Sequence, residues 1–230
     1  MKAPAIVVLL VSSTAAAAAS PNPDRPAVAD TARLVGAGTV EAEAGGLWSQ
    51  GVHMPVLAKY GAGVWEPRLG ADLSGAGNGA PGLYAGTKVR LVQKQAAAFA
   101  LGLSSALPVG ADDRWWGSAR ALVDLSGRSG LGLRANTGLE LGGADGHIVV
   151  TGIPAVLDLG TTVGHSWRVF MEGAATIGLD GTVRGDAADV GLGWTVTDIA
   201  VVDAGAGWDV QAEHPYAQLG VTVNLGHPGG

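Results

Sequence analysis

From Val40 to Leu225 the side chains alternate, residue by residue, between an apolar and a polar class. Leu131, Leu133, Ala135, Thr137, Leu139 and Leu141 share one parity, and Gly132, Arg134, Asn136, Gly138 and Glu140 hold the other. A period of two is that of a β-strand, whose successive Cβ atoms point to opposite faces; a helix repeats every 3.6 residues. The same reading yields about twelve segments. They span 40–48, 52–60, 64–73, 82–93, 96–107, 116–126, 130–141, 148–163, 167–177, 188–196, 199–208 and 216–225. Most run near ten residues, whereas strands of soluble sheets average about five or six. A tilted strand that crosses a bilayer needs ~9–11.

The connections alternate in length. Gly61-Ala62-Gly63, Lys94-Gln95, Gly127-Arg128-Ser129, Gly164-His165-Ser166 and Thr197-Asp198 read as tight turns. Between them stand longer Gly- and Asp-rich loops at 74–81, 108–115, 142–147, 178–187 and 209–215. Short turns at one end and long loops at the other define an up-and-down transmembrane barrel. The expected fold is therefore all-β, an antiparallel up-and-down transmembrane β-barrel of about twelve strands.

Parity of charge says which face is which. The acidic residues within the segments are Glu41, Glu43, Glu66, Asp72, Asp124, Glu140, Asp158, Glu172, Asp189 and Asp203. The basic ones are Lys59, Arg68, Lys88, Arg90, Arg120, Arg134 and Arg168. All seventeen lie on the parity opposite the apolar set. A Lys or Arg facing lipid near the midplane costs ~2–4 kcal/mol, so the charged parity is expected to line the lumen. Trp48, Trp115 and Trp208 sit on the apolar parity near the loop ends, and Tyr60, Trp65, Phe99, Trp167 and Trp194 near the short-turn ends. Two such belts place amphipathic rings at the two headgroup levels. Pro55, Pro67 and Pro154 fall inside proposed strands and are expected at bulges or strand ends, because a closed barrel offers no free edge for a residue lacking N–H.

At the amino terminus, Lys2, the apolar run Ala5 to Val11 and Ala17-x-Ala19 before Ser20 read as a secretory signal peptide at 1–19. The apolar run falls short of the ~20 residues of a membrane helix. The remaining organisation is expected to be a periplasmic segment at 20–37, the barrel at 38–226 and a tail at 227–230. The expected location is the outer membrane of a Gram-negative bacterium, with outer-membrane lipid as the surrounding partner and a small-molecule solute. Composition agrees: only 15% of residues are charged and mean hydropathy is +0.28, yet no apolar run past residue 20 reaches a helix span. A net charge of -6 excludes a nucleic-acid partner, and the absence of Cys excludes disulfides and thiolate metal sites.

The chain also resembles a family of Gram-negative outer-membrane barrels of the transporter-like, MetA phenol-degradation-pathway type. The resemblance rests on Asp24-Arg25-Pro26, Glu43-Ala44-Gly45, Lys59-Tyr60-Gly61 followed by Glu66-Pro67-Arg68-Leu69-Gly70, Gly86 to Leu91, Leu107 to Gly110, Thr197-Asp198 and Asp203-Ala204-Gly205. Ala27-Val28-Ala29 replaces the family's acidic segment, and the closing aromatic is absent. The resemblance implies passage of small, often aromatic or hydrophobic, compounds.

Chemistry beyond a conduit finds little support. His53, His147, His165, His214 and His227 occur in no acyl-transfer or metal-ligand spacing, so no enzyme, cofactor or metal is expected. Asp112-Asp113, Asp180 and Asp186 read as solvated loop acids, and Gly75 to Gly79 lacks the strand-to-helix context of a phosphate loop. Two interiors remain open. Arg68, Arg90, Arg120, Arg134 and Arg168 either pair with Glu66, Asp124, Glu140 and Glu172 and seal the lumen, or the rows stay apart around a narrow polar pathway. The functional expectation is a channel or transporter for small molecules. The alternatives are a non-conducting structural or adhesin-type barrel with a salt-bridged interior, and a secreted soluble β-sandwich binding protein.

Overall fold

The computed structural model describes residues 21–24, 29–73, 82–107, 115–127, 130–144 and 147–226. The expected signal peptide and C-terminal tail lie outside these residues, as do the loop acids Asp112 and Asp113 and the segment Gly75 to Gly79. The strands are Val40–Trp48 (β1), Val52–His53 (β2), Pro55–Tyr60 (β3), Trp65–Asp72 (β4), Gly82–Gln93 (β5), Ala97–Leu107 (β6), Trp115–Ser126 (β7), Leu131–Ala144 (β8), His147–Val163 (β9), Trp167–Gly178 (β10), Val183–Thr197 (β11), Ala200–Asp209 (β12) and His214–Asn224 (β13). The short β2 and β3 are one strand interrupted at Met54, which makes twelve staves. Each stave pairs antiparallel with its chain neighbours. The sheet closes where β1 meets β13, from Glu41 opposite Asn224 to Trp48 opposite Ala217. One closed sheet removes the sandwich alternative, which requires two sheets packed face to face. Closure leaves no unpaired edge, the condition for a β-structure to cross hydrocarbon.

The three prolines fall where pairing is already broken. Pro55 begins β3 directly after the interruption at Met54. The amide of Arg90 bonds the carbonyl of Val64, so Pro67 turns its nitrogen toward β3, whose pairing with β4 ends at Lys59 opposite Arg68. Pro154 stands in a gap of the β8–β9 ladder, between Thr137 opposite Ala155 and Glu140 opposite Gly152.

The loop-end boundaries differ from the sequence reading. β8 continues to Ala144, β11 begins at Val183 and β9 is 17 residues long. The loops expected at 142–147 and 178–187 are therefore much shorter. Register shifts accompany these ends: opposite Glu140 and Leu141 of β8 the partner strand β9 carries one extra residue, Thr151, and opposite Ala174 to Thr176 of β10 the partner strand β11 carries one extra residue between Arg184 and Ala187. A bulge moves the alternation by one residue, so a strict reading of parity stops there while the strand goes on. At the other end the turns are tight, and Gly63 (φ 82°) and Gly164 (φ 65°) supply their left-handed positions.

The outward row carries exposed Leu69, Leu103, Leu157, Val169, Val190 and Leu219 around the whole circumference. A side chain of this kind gains roughly 1.5–3 kcal/mol on leaving water, so a continuous apolar girdle calls for lipid. The inward row is different. Glu41, Glu43, Lys59, Glu66, Lys88, Asp124, Asp158, Glu172, Asp189 and Asp203 are buried. Arg68, Asp72, Arg90, Arg120, Arg134, Glu140 and Arg168 are half-buried.

The interior also holds part of the chain itself. Of the segment expected to be periplasmic, 20–37, the described residues 21–24 and 29–37 lie in the barrel toward the short-turn end: Asp24, Ala29, Thr31, Ala32, Leu34 and Val35 are all buried. The segment leaves beside the first turn, where Gly38 donates to the carbonyl of Gly61 at 2.6 Å and Gly61 to that of Thr39 at 2.9 Å. Physically, this segment finds in the wall the partners that a free tail would take from water.

Candidate functional site

An extended segment inside a barrel has backbone groups that no ladder satisfies, and each must find a partner. The inward acids and lysines supply them. Glu41 accepts the amide of Asn22 at 2.7 Å, Glu43 that of Asp24 at 3.0 Å, Glu66 that of Val35 at 2.7 Å and Glu172 that of Ala29 at 2.7 Å. Lys59 donates to the carbonyl of Asn22 at 3.0 Å, and Lys88 to those of Thr31 and Arg33 at 2.7 and 3.2 Å. Asn136 acts as a one-residue strand partner: its Oδ1 accepts the amide of Asp30 at 2.7 Å and its Nδ2 donates to the Asp30 carbonyl at 2.9 Å. The wall thus reads the backbone of the plug with charged side chains, whose hydrogen bonds are stronger than neutral ones.

Asp24 is the centre of this arrangement. Its carboxylate receives Lys59 Nζ at 3.1 Å, Arg68 Nη2 at 2.6 Å and Lys88 Nζ at 3.5 Å, and it accepts the amide of Thr31 at 3.0 Å. Burial alone would raise this carboxyl. The Arg68 guanidinium, then Lys59 and Lys88, outweigh burial and hold it well below the usual carboxylate range. Lys59 is shared with Glu41 at 2.5 Å and also with Glu43. Arg68 reaches Glu66 through Nε at 2.7 Å and Asp30 through Nη1 at 3.0 Å. Each cation serves several anions, so loss of any one leaves buried charge uncompensated.

Apolar contacts fix the rest of the plug. Ala32 and Leu34 pack on Ala98, Ala100 and Leu122 of β6 and β7. Ala29 packs on Val156 and Phe170 of β9 and β10. These wall residues occupy the charged parity, where apolar side chains break the polar row. That break is the one sequence sign of an internal plug, and alternation alone does not single it out.

A second charged group lies across the short-turn half. The Thr31 hydroxyl donates to Asp124 at 2.5 Å, Arg134 Nε stands 3.7 Å from Asp124, and Arg168 Nη2 lies 2.5 Å from Asp158. Of the acids expected to pair, Glu66 meets Arg68 and Asp124 stands beside Arg134, while Arg168 takes Asp158, an acid outside that set. The reason is register: Asp158 and Glu172 are directly opposed, and Glu172 is engaged by the plug. Among the described residues neither Arg90 nor Arg120 forms an ion pair.

The loop-side half is sparser. Tyr84 bonds the carbonyl of Val56 at 2.9 Å, Tyr216 bonds Asp189 at 2.8 Å, and Ser104 and Ser118 share a bond of 2.8 Å. His53 reaches Asp72 at 3.1 Å, and Thr176 reaches Glu140 at 3.3 Å. A cavity of about 650 Å³ opens here, lined in part by Trp115, Trp116, Val149, Glu140 and Arg184. Trp116 was not among the aromatics singled out from sequence because it occupies the charged parity, one residue beyond the expected belt position Trp115.

Of the expected interface aromatics, Trp48, Trp65, Phe99, Trp167, Trp194 and Trp208 are exposed on the outer wall. Tyr60 and Trp115 are half-buried. Trp167 and Trp194, opposed in register, stack at 5.5 Å near the short-turn end. Among the described residues no group of His, Asp and Glu is arranged to hold a metal ion.

The sequence matches no known family model. It also matches no curated protein. The fold does find relatives among solved structures. The KdgM porin aligns with a TM-score of 0.66 at 9% identity, over 81% of this chain and 99% of that one. The NanC porin aligns at 0.65 and 7% identity, over 81% and 100%. The COG4313 outer membrane channel from Pseudomonas putida F1 aligns at 0.64 and 10% identity, over 89% and 99%. At such identities the likeness is one of architecture. The chain is a closed all-β antiparallel barrel of twelve strands with the fold of Gram-negative outer-membrane porins.

Proposed function

We propose that this protein is an outer-membrane channel for small molecules whose N-terminal segment acts as a plug in the short-turn half of the conduit. The observation that carries the reading is the pairing of an apolar outer girdle with a charged inner row that holds residues 22–24 and 29–35 through their backbone. In this reading residues 1–19 export the chain, the belt aromatics mark the two lipid interfaces and the seventeen inward charges line the path. The short-turn end faces the periplasm and the cavity at Trp116 faces outward. The KdgM porin has been seen with oligogalacturonate, so a barrel of this architecture accommodates a small solute. For the present chain the resemblance to transporter-like barrels favours aromatic or hydrophobic solutes.

Planar-bilayer conductance of the refolded full chain and of a chain lacking residues 21–37 tests the proposal. A small conductance that rises on removal of the segment is expected. A second reading, a non-conducting structural barrel, is favoured by the multiply shared ion pairs around Asp24 and by the apolar packing of Ala32 and Leu34. Absence of conductance in both chains, with heat-modifiable barrels intact, selects that reading.

A further inference from the structure

The plug closes most of the short-turn half but leaves a cavity of about 160 Å³ between itself and β7–β10. Three guanidinium groups line it: Arg33 from the plug, Arg134 from β8 and Arg168 from β10. Two carboxylates line it as well, Asp124 and Asp158. Three cations against two anions leave one positive charge over. One oxygen of each acid is committed: Asp124 accepts the Thr31 hydroxyl, and Asp158, fully buried, backs Arg168 at 2.5 Å, while Asp124 Oδ1 and Asp158 Oδ2 have no hydrogen-bond partner among the described residues.

Arg134 is the under-used member. Its side chain is only 17% exposed, and its nearest carboxylate oxygen is 3.7 Å away, beyond hydrogen-bond distance. Arg33 spends one nitrogen on the carbonyl of Gln95 at 3.0 Å. Gly160 makes room for the Arg168 guanidinium, since a Cβ there would lie 2.9 Å from Nη2. Thr162 adds a hydroxyl at the mouth, beside the short turns. Converging, incompletely bonded guanidinium groups with spare charge are the chemistry that receives a planar carboxylate or a tetrahedral phosphate.

We propose that this cavity is a binding site for a small soluble oxyanion, a phosphate or carboxylate group, entering from the short-turn end. Because Arg33 belongs to the plug and Arg134 and Arg168 to the wall, the bound anion bridges them. Anion binding and plug docking then favour each other, since coupling between two equilibria is reciprocal. The anion acts as a latch on the closed interior.

The test uses the refolded full chain with inorganic phosphate as the probe. The protein has no Cys, so Ala32→Cys places a single thiol at a position that is buried while the plug is docked. Titration calorimetry should show saturable phosphate binding, and phosphate should slow labelling of that thiol. Arg33→Gln and Arg134→Gln should each weaken binding about tenfold, the loss of one charge-assisted contact. Arg184→Gln, at the opposite mouth, should leave binding unchanged. Arg33 lies outside the wall, so its variant keeps the barrel whatever becomes of Arg134→Gln. Absence of saturable binding, or binding equal in wild type, Arg33→Gln and Arg134→Gln, overturns the site. Binding that leaves the labelling rate unaltered overturns the latch.

Discussion

The two halves of the interior are built on opposite principles. In the short-turn half, charged side chains are packed against a folded-in segment and against one another, and the space is largely filled. In the loop-side half, the same inward row carries tyrosine, serine, threonine and glycine between its charges, and a cavity of about 650 Å³ remains. A barrel of this size is intermediate between filled small barrels and water-filled porins. Here one molecule uses both solutions, one at each end. The difference lies in what satisfies the inward charges: the plug backbone at one end, and neighbouring side chains such as Thr176, Tyr216 and His53 at the other.

The comparison is broken most directly by removing the plug. Deleting residues 21–37 should raise single-channel conductance several-fold in planar bilayers, because the two halves then become alike. Next in size is Lys59→Met, which leaves Asp24, Glu41 and Glu43 facing one another without their shared cation. Losing one partner of a buried pair costs ~3–5 kcal/mol, which a shift of the urea unfolding midpoint should record. A loop-side counterpart such as Glu140→Gln should cost far less.

Acid gives a graded version of the same contrast. Asp24 is held below its ordinary value of 3.8 in the folded state. A depressed carboxyl contributes stability that is fully present above the unfolded value and is lost as pH falls through the folded one. The contribution of Asp24 to docking should therefore be unaffected from neutral pH down to about pH 4 and be lost below it, with a rise in conductance. In Asp24→Asn the plug should already be loosened at neutral pH, and the acid step attributable to this group should disappear. The smallest effect is expected at Trp116→Ala. Trp116 is largely exposed, so stability should change by under about 0.5 kcal/mol, while solute entry, measured by liposome swelling, should respond.

The legibility of these features differed for physical reasons. Strand identity and stave number followed from period two, whose parity also puts Glu41, Lys59 and Asp158 on the buried face of the wall. Loop lengths were overestimated beside Thr151 of β9 and Arg184 to Ala187 of β11, where bulges break the alternation without ending the strand. Pairing partners were only half legible. Register decides that Arg168 meets Asp158, and register depends on long-range closure of the sheet. The plug was not legible from alternation at all: Asn22, Asp24, Ala29 and Thr31 follow no period, since their structure comes from wall side chains instead of a ladder.

Sequence by itself determined the barrel. A two-residue alternation sustained over twelve staves has one stable solution when one face meets hydrocarbon, namely closure with the charged face inward. Only the tertiary structure decided what that charged face does. Whether a row of acids and lysines lines an open path, seals on itself or grips a strand of the same chain depends on which side chains closure brings within 3 Å of one another. Local pattern carries no record of that. In this protein, closure brings Glu41, Glu43, Glu66 and Glu172 onto backbone amides of residues 22–35, and the inner wall becomes a socket for the protein's own amino-terminal segment.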